Sequence, residues 1–228
     1  MANFRTHLTV GASISLAVAV MGLGAGLYGL STAVFGAVIG TIGSLLPDID
    51  LRTSRPAKKG FAFAGVFLAT LTAILYASHH VGTDAVVNAL GVWAVAYVLL
   101  KYVIFETFHR VTVHRGMLHS VPYMAVFGLL VVYGSYYGLK LTALVSWLFG
   151  LFLFIGALVH LLLDEWYSVN FWGFKLKKSS GTAFKFFESN KLTQYAVLYA
   201  ILGLLWVFAP EHETAWLKIK QSVMSLIN

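Results

Sequence analysis

The sequence predicts an all-α protein, a polytopic bundle of about six to seven membrane segments, and three observations predict it. Charged residues make up 11% of the 228, less than half the roughly 25% of a soluble domain. Hydrophobic residues make up 59% and the mean hydropathy is +0.80. Several apolar runs approach or exceed the ~20 residues that a helix needs to cross about 30 Å of hydrocarbon.

Taken in order, the apolar segments run over 8–30, 31–46, 60–78, 85–105, 120–138, 141–163 and 193–209. Arg5 ahead of the first and Ala17-Val18-Ala19 within it imitate a signal peptide. The apolar run continues past that point to spanning length, which predicts an uncleaved helix that keeps His7. The second segment is short and carries Gly36, Gly40 and Gly43, so it is either a tight hairpin partner of the first or a re-entrant helix that fails to cross. The pairs Gly22 with Gly26 and Gly36 with Gly40 let backbones approach closely. Lys101 sits near one end of the fourth segment, within snorkelling reach of the interface. No repeat and no low-complexity linker interrupts the chain, so residues 1–209 read as a single domain. In the tail, 210–228, Lys218, Lys220 and Gln221 alternate with Leu217, Ile219, Val223 and Leu226 as in an interfacial helix.

Charge orients the bundle. If all seven segments cross, one face holds Arg5, Arg52, Arg55, Lys58, Lys59, Arg110, Arg115, Lys175, Lys177, Lys178, Lys185 and Lys191, and the other only Lys140, Lys218 and Lys220. By the positive-inside rule the first face is cytoplasmic. The same rule accounts for the net charge of +7 without nucleic acid. There is no cysteine, so disulfides, thiolate metal sites and cysteine nucleophiles are excluded, and any metal relies on His, Asp or Glu.

Under this topology His7, Asp48, Asp50, His109, His114, His119, His160 and Asp164 fall at one depth, the cytoplasmic ends of the segments. Ionisable groups there tend to face a cavity, pair with one another or bind an ion. His160 and Asp164, four apart, project from one helix face and suit a single metal; a helix-end histidine paired with an acid is the alternative. Leu46-Pro47-Asp48-Ile49-Asp50 offers alternating carboxylates, or else a proline-terminated helix with acids marking the water boundary. His114-Arg115-Gly116-Met117-Leu118-His119 spaces its histidines too far for one helical face, but Gly116 lets the backbone fold so that both aim inward. Arg115 suits a phosphate through its fork of donors, or is simply one of the inside cations. Glu106 and His109 lie close to the cluster, and Glu165 is a base or a water-facing neighbour. His79, His80, Asp84 and His212 belong to the opposite face. Trp166, Tyr167, Phe171, Trp172 and Phe174 with Lys175, Lys177 and Lys178 form an interfacial belt.

Thr6-His7, Leu46-Pro47-Asp48-Ile49-Asp50, His114-Arg115-Gly116 with His119-Ser120, and His160 with Asp164 occur in an order that resembles the YdjM-like family over about residues 1–170. The resemblance implies a bacterial or archaeal cytoplasmic (inner) membrane protein and a metal-dependent hydrolase. Leu118 stands where the family motif often has threonine. The donor set is also similar in kind to that of zinc-dependent phospholipase C, a soluble helical protein, which points toward phosphoesters.

The expected function is therefore hydrolysis of a phosphoester at headgroup level, in a phospholipid or an isoprenoid phosphate. His7, Asp48, His114, His119, His160 and Asp164 hold a divalent metal, zinc favoured over Mn or Mg. Asp50 is a ligand or a supporting acid, and Arg115 holds phosphoryl oxygens. The partner is a membrane lipid or lipid-linked substrate. The competing class is a membrane protein with a structural or lipid-binding metal site, or a metal transporter. Transport is disfavoured because the middle of every span is nearly free of ionisable groups. HExxH is absent, which removes the motif of an intramembrane metalloprotease.

Overall fold

The computed structural model describes residues 3–50, 62, 65–66, 69–70, 72–74, 76–77, 80, 82–104, 119–167, 169–170, 175–176 and 184–227. These are helical except for a two-residue antiparallel ladder, Val169–Asn170 with Lys175–Leu176, and the connecting turns. The chain divides into two compact units, residues 1–47 with 115–228, and residues 48–114.

The first unit is built on six helices. Helix α1 (Phe4–Gly24) starts at Asn3, whose side chain accepts from the Thr6 amide and satisfies a donor the helix cannot. A tight turn leads to α2 (Leu30–Gly43). Helix α4 (Val121–Tyr133), with Pro122 in its first turn, continues as a π-helical stretch, Gly134–Gly138. Lys140, with φ of 56°, turns the chain into α5 (Ala143–Trp166). Helices α6 (Leu192–Val207) and α7 (Glu213–Ile227) complete the unit. In the second unit α3 (Thr83–Val98) runs on as a π-helix, Leu99–Ile104, and the described residues between 62 and 77 are helical as well.

Among the described residues four helices are long and apolar enough to cross a membrane: Phe4–Gly24, Asp84–Tyr102, Val121–Gly138 and Ala143–Trp166. They correspond to the first, fourth, fifth and sixth predicted segments. The second segment forms a 14-residue helix, about 21 Å long at 1.5 Å per residue, and the seventh a 16-residue one of about 24 Å, both short of the ~30 Å core. Of the third, 60–78, ten of nineteen residues are described, and all ten are helical.

Helix α5 is the axis of the first unit. At 24 residues it is about 36 Å long, and most of its spanning window is buried inside the protein. Lipid tails are as apolar as leucine, so such helices are held by close packing rather than by exclusion from water. The sequence supplies that packing with glycine. A Cβ on Gly156 of α5 would overlap the Gly40 carbonyl of α2, and one on Gly11 of α1 would overlap the Ser44 side chain just past the end of α2. Gly36 faces Phe152 and Gly40 faces both Ser15 and the Phe152 carbonyl, so this pair packs against α5 as well as α1. Gly22 packs on the ring of Tyr28 in the α1–α2 turn. Buried apolar clusters then fill the helix seams: Ala19, Ala33 and Phe152 on one side of α5, Met124, Ala157 and Leu161 on another, and Leu129, Val132, Trp147 and Ala215 toward its start. The tail helix α7 thus contributes Ala215 to the core.

In the second unit Trp93 donates to the Thr70 hydroxyl (3.1 Å) and stacks on Tyr97. The predicted snorkelling residue Lys101 is exposed, with Nζ 5.5 and 5.1 Å from the ring centroids of Tyr97 and Tyr102. Cation–π attraction offers its charge a resting place beside an apolar surface.

Substituting Gly156 by alanine should force α2 and α5 apart and cost about 1–3 kcal/mol as overpacking. Thermal unfolding in detergent should show a clearly lowered midpoint, whereas Gly24→Ala, where a Cβ meets no atom within 4 Å, should leave it near that of the parent.

Candidate metal centre

Four chain segments converge at one end of the first unit. They are the first turn of α1, the turn after α2, the residues leading into α4, and the last turns of α5. They bring together His7, Ser44, His119, His160 and Asp164, each no more than 2% exposed. An ionisable cluster so completely buried is costly unless its members satisfy one another or share an ion.

The predicted helix-face pair is formed as the spacing requires: His160 Nε2 lies 3.7 Å from Asp164 Oδ2, one turn on. The other carboxylate oxygen, Oδ1, is 3.2 Å from His7 Nε2. The His7 and His160 rings stack face to face, centroids 3.7 Å apart and planes 11° from parallel. His119 presents its ring to His160 edge-on at 5.9 Å. Donor atoms of His119, His160 and Asp164 all lie within 4.8 Å of one another, close enough to share one metal ion.

His160 is held from behind. Its Nδ1 is 2.8 Å from the Ser44 carbonyl, which can only accept, so Nδ1 carries the proton and Nε2 is left as a base facing the cluster. A histidine that donates one nitrogen to a backbone carbonyl and turns the other inward is the usual arrangement of a metal-ligating imidazole. The carbonyl is itself positioned, because the Ser44 hydroxyl donates to the Thr41 carbonyl (2.7 Å) and lies 3.2 Å from that of His7.

The donor chemistry fits a divalent cation. Ligands at 2.0–2.2 Å around a tetrahedral ion stand about 3.4 Å apart, and the Asp164 carboxylate faces each imidazole at about that spacing, Oδ1 to His7 at 3.2 Å and Oδ2 to His160 at 3.7 Å. Neither ring nitrogen of His7 has an aligned hydrogen-bond partner among the described residues, although both are buried. Donors of this kind are costly to leave without a partner, and a cation in their midst removes the cost.

The remaining predicted residues are distributed as follows. Asp48 and Asp50 lie in the short 3-10 helix Leu46–Asp50 that follows Ser44 and spans the start of the second unit. Asp48 is half-buried. His114 and Arg115, with Glu106 and His109, lie outside the described residues. The residues from which the opposite face was read include His80, which bonds the Tyr76 carbonyl through Nδ1, and His212, which packs among tryptophans. Trp166 and Tyr167 are exposed just beyond the cluster, and Phe171, Trp172 and Phe174 of the expected belt lie outside the described residues.

Sequence reasoning missed two supports. One is the Ser44 carbonyl, which no side-chain pattern reveals. The other is Lys185, buried to 7% exposure, whose carbonyl accepts from the first amide of α4 at Val121 (3.0 Å), two residues after His119. Ser120 and Lys185 pair as an isolated parallel bridge. The ammonium of Lys185 is bound by Glu188 at 2.8 Å, and Lys191 takes the other carboxylate oxygen at the same distance. The signal available in the sequence was the spacing Lys185-x-x-Glu188-x-x-Lys191, which the positive-inside reading absorbed.

Lys185, and after it Lys191, hold the Glu188 carboxyl below its ordinary range. A carboxylate depressed on folding contributes stability above its unfolded pKa, and that contribution is lost as pH falls through the folded value. The acid limb of a pH–stability profile in detergent should therefore be steeper for the parent than for Glu188→Gln, and the two curves should converge at low pH.

No curated protein and no solved structure matches the chain. A family model described as YdjM inner membrane protein matches residues 1–226. With the buried His/Asp cluster and the apolar spanning helices in place beneath that match, the chain belongs to the YdjM inner membrane protein family.

Proposed function

We propose that this protein is a membrane-embedded, metal-dependent hydrolase acting on a phosphoester at headgroup level, in a phospholipid or an isoprenoid phosphate. The observation that carries the reading is the convergence of His7, His119, His160 and Asp164 from three separated parts of the chain into one buried cluster. In this reading these four hold the ion, Asp48 and His114 complete its ligands, and zinc is favoured over manganese or magnesium. The bundle has six to seven segments with the centre at the cytoplasmic face, in keeping with the excess of Lys and Arg in the connections assigned there.

When bound, the ion supplies Lewis acidity and an acidified water, so that attack on phosphorus needs no protein nucleophile. The protein's own groups do the rest. The Ser44 carbonyl keeps the His160 proton on Nδ1. Asp164 balances cationic charge between the His7 and His160 rings. Asp50 serves as a ligand or as the acid that orients one. Arg115 binds phosphoryl oxygens through its planar fork. A lipid substrate brings its ester to this depth without leaving the bilayer.

A non-catalytic structural metal site is the second reading, favoured by the near-complete burial of all four donors. The two differ in whether a coordination position stays open to substrate.

Metal analysis of the purified protein should find a divalent ion that His160→Ala and Asp164→Ala each lose, His119→Ala and Asp48→Ala weaken, and His212→Ala retains. Unchanged metal in both His160→Ala and Asp164→Ala would reject the ligand assignment. A screen of phosphate and phosphodiester release from lipid phosphates with Zn, Mn and Mg should give turnover in the parent and at least a 100-fold lower rate in His119→Ala, on the order expected when a metal site is disrupted. Full metal content with no turnover across the screen would favour the structural reading.

A further inference from the structure

A cavity of about 580 Å³ lies in the first unit between α4, α5 and α6 and is closed at one end by α7. Gly128, Leu129, Trp147, Phe154, Leu202 and Gly203 are among its walls. It runs along α4 from Ala125 to Val132 and along α5 from Trp147 to Phe154, about 10 Å in each case at 1.5 Å per residue, inside two helices long enough to span. It is separate from the His/Asp cluster: His160 stands six residues beyond Phe154, about 9 Å along the helix axis. Phe154 and His160 also point about 120° apart around it, at 100° per residue.

Two features identify what the cavity takes. Its walls are apolar and aromatic, and a space of this kind stays free of water, which finds no partners in it. Tyr199 and Val207 on its rim are exposed, so it opens sideways to the surroundings of the spanning helices, where the medium is hydrocarbon. Of the donors in the lining, the Tyr199 hydroxyl donates to the Phe186 carbonyl (3.2 Å) and Trp206 is exposed, which leaves the indoles of Trp216 and Trp147. Trp216 on α7 lines the cavity, and its indole Nε1 is buried with no hydrogen-bond partner among the described residues. The neighbouring indole of Trp147 donates to the Pro210 carbonyl at 3.2 Å, so the two rings are not in the same situation. Trp147, Trp206 and Trp216 group within 5.3–6.4 Å of one another at this end, as tryptophans do at the level where lipid esters lie.

We propose that the cavity binds one acyl chain of a bilayer glycerolipid, with the Trp216 indole N–H donating to the ester carbonyl at the head of that chain. A long apolar tail joined to a group that accepts but does not donate is the chemistry that fills both the dry volume and the open donor. The site stands on its own and does not depend on the hydrolase reading. Helix α7 is then the element that retains the lipid, because it supplies both the closing wall and the donor.

The test is native mass spectrometry of the full-length protein in mild detergent, titrated with palmitoyl-oleoyl phosphatidylethanolamine and with its ether-linked analogue. The parent should take up a first ester lipid at least about 10-fold more tightly than later ones. Gly203→Leu should abolish this first binding, since a Cβ at Gly203 meets no atom within 4 Å and the new side chain has room to enter the cavity. Ala125→Leu, from the opposite wall, should do the same, which covers the case in which the Gly203 variant fails to fold. Trp216→Phe keeps the ring and removes the donor; it should weaken ester lipid about 2–10-fold, the worth of one hydrogen bond, and leave ether lipid unaffected. Metal content should be unchanged in Trp216→Phe. Equal first-lipid affinity in the parent and in a folded cavity-filling variant would overturn the proposal, as would equal affinity of the parent for ester and ether lipids.

Discussion

The close passage of α2 over α5 is the constraint on which the rest of the first unit depends. With Gly156 against the Gly40 backbone, the end of α2 comes down to the level at which the Ser44 carbonyl meets His160, and the same turn meets Gly11 and His7 of α1. Three helices are thereby registered to one another by contacts between backbones and small side chains. In a bilayer this is the available means, because apolar side chains gain nothing by leaving lipid for protein. A leucine-rich seam would hold the helices together and yet leave their heights unspecified. The polar cluster needs those heights set to within an ångström or so, and glycine sets them.

The same reasoning separates what was legible in the sequence from what was not. His160 and Asp164 were legible because a spacing of four on a helix leaves their directions little freedom, and the observed pair across one turn follows. His7 and His119 were legible only as polar residues at segment ends; their meeting with His160 depends on helix packing, which a pattern of apolar residues does not specify. Ser44 was invisible because its contribution is a main-chain oxygen that every residue has. Lys185 was passed over for a different reason: a cation in a connecting segment already has an explanation in membrane orientation, so its burial beside Ser120 gave no separate signal. Spanning helices were predicted by apolar length, which fits the four long ones. The 14-residue α2 shows the limit of that criterion, since its glycines serve packing against α1 and α5 whether or not it crosses. The π-helical extensions after α3 and α4, LLKYVI and GSYYG, were not legible because apolar length does not distinguish one helical hydrogen-bond pattern from another.

The two ends of the first unit solve opposite problems. At the His/Asp end, polar groups are crowded and the difficulty is mutual satisfaction: Ser44 fixes a proton, Asp164 faces two imidazoles, and Glu188 neutralises Lys185 beside the start of α4. At the other end, the rings of Trp147, Trp206, Trp216 and His212 gather on one another, with Trp147 donating to the Pro210 carbonyl, and the difficulty is filling space. Helix α5 joins the two, which accounts for its being both the longest helix among those described and the most buried of the spanning ones.

The bridge between Ser120 and Lys185 also imposes a sequence of events in time. The ribosome delivers about 5–20 residues each second, so α4 emerges several seconds before the segment whose carbonyl secures its first amide. Within that interval the two donors of α5 follow, at residues 160 and 164, so all four donors of the cluster are made before the strap that anchors the start of α4. The donors are therefore complete while the start of α4 is still unsecured, and the position of His119 is the last to be fixed, once biosynthesis has passed residue 185.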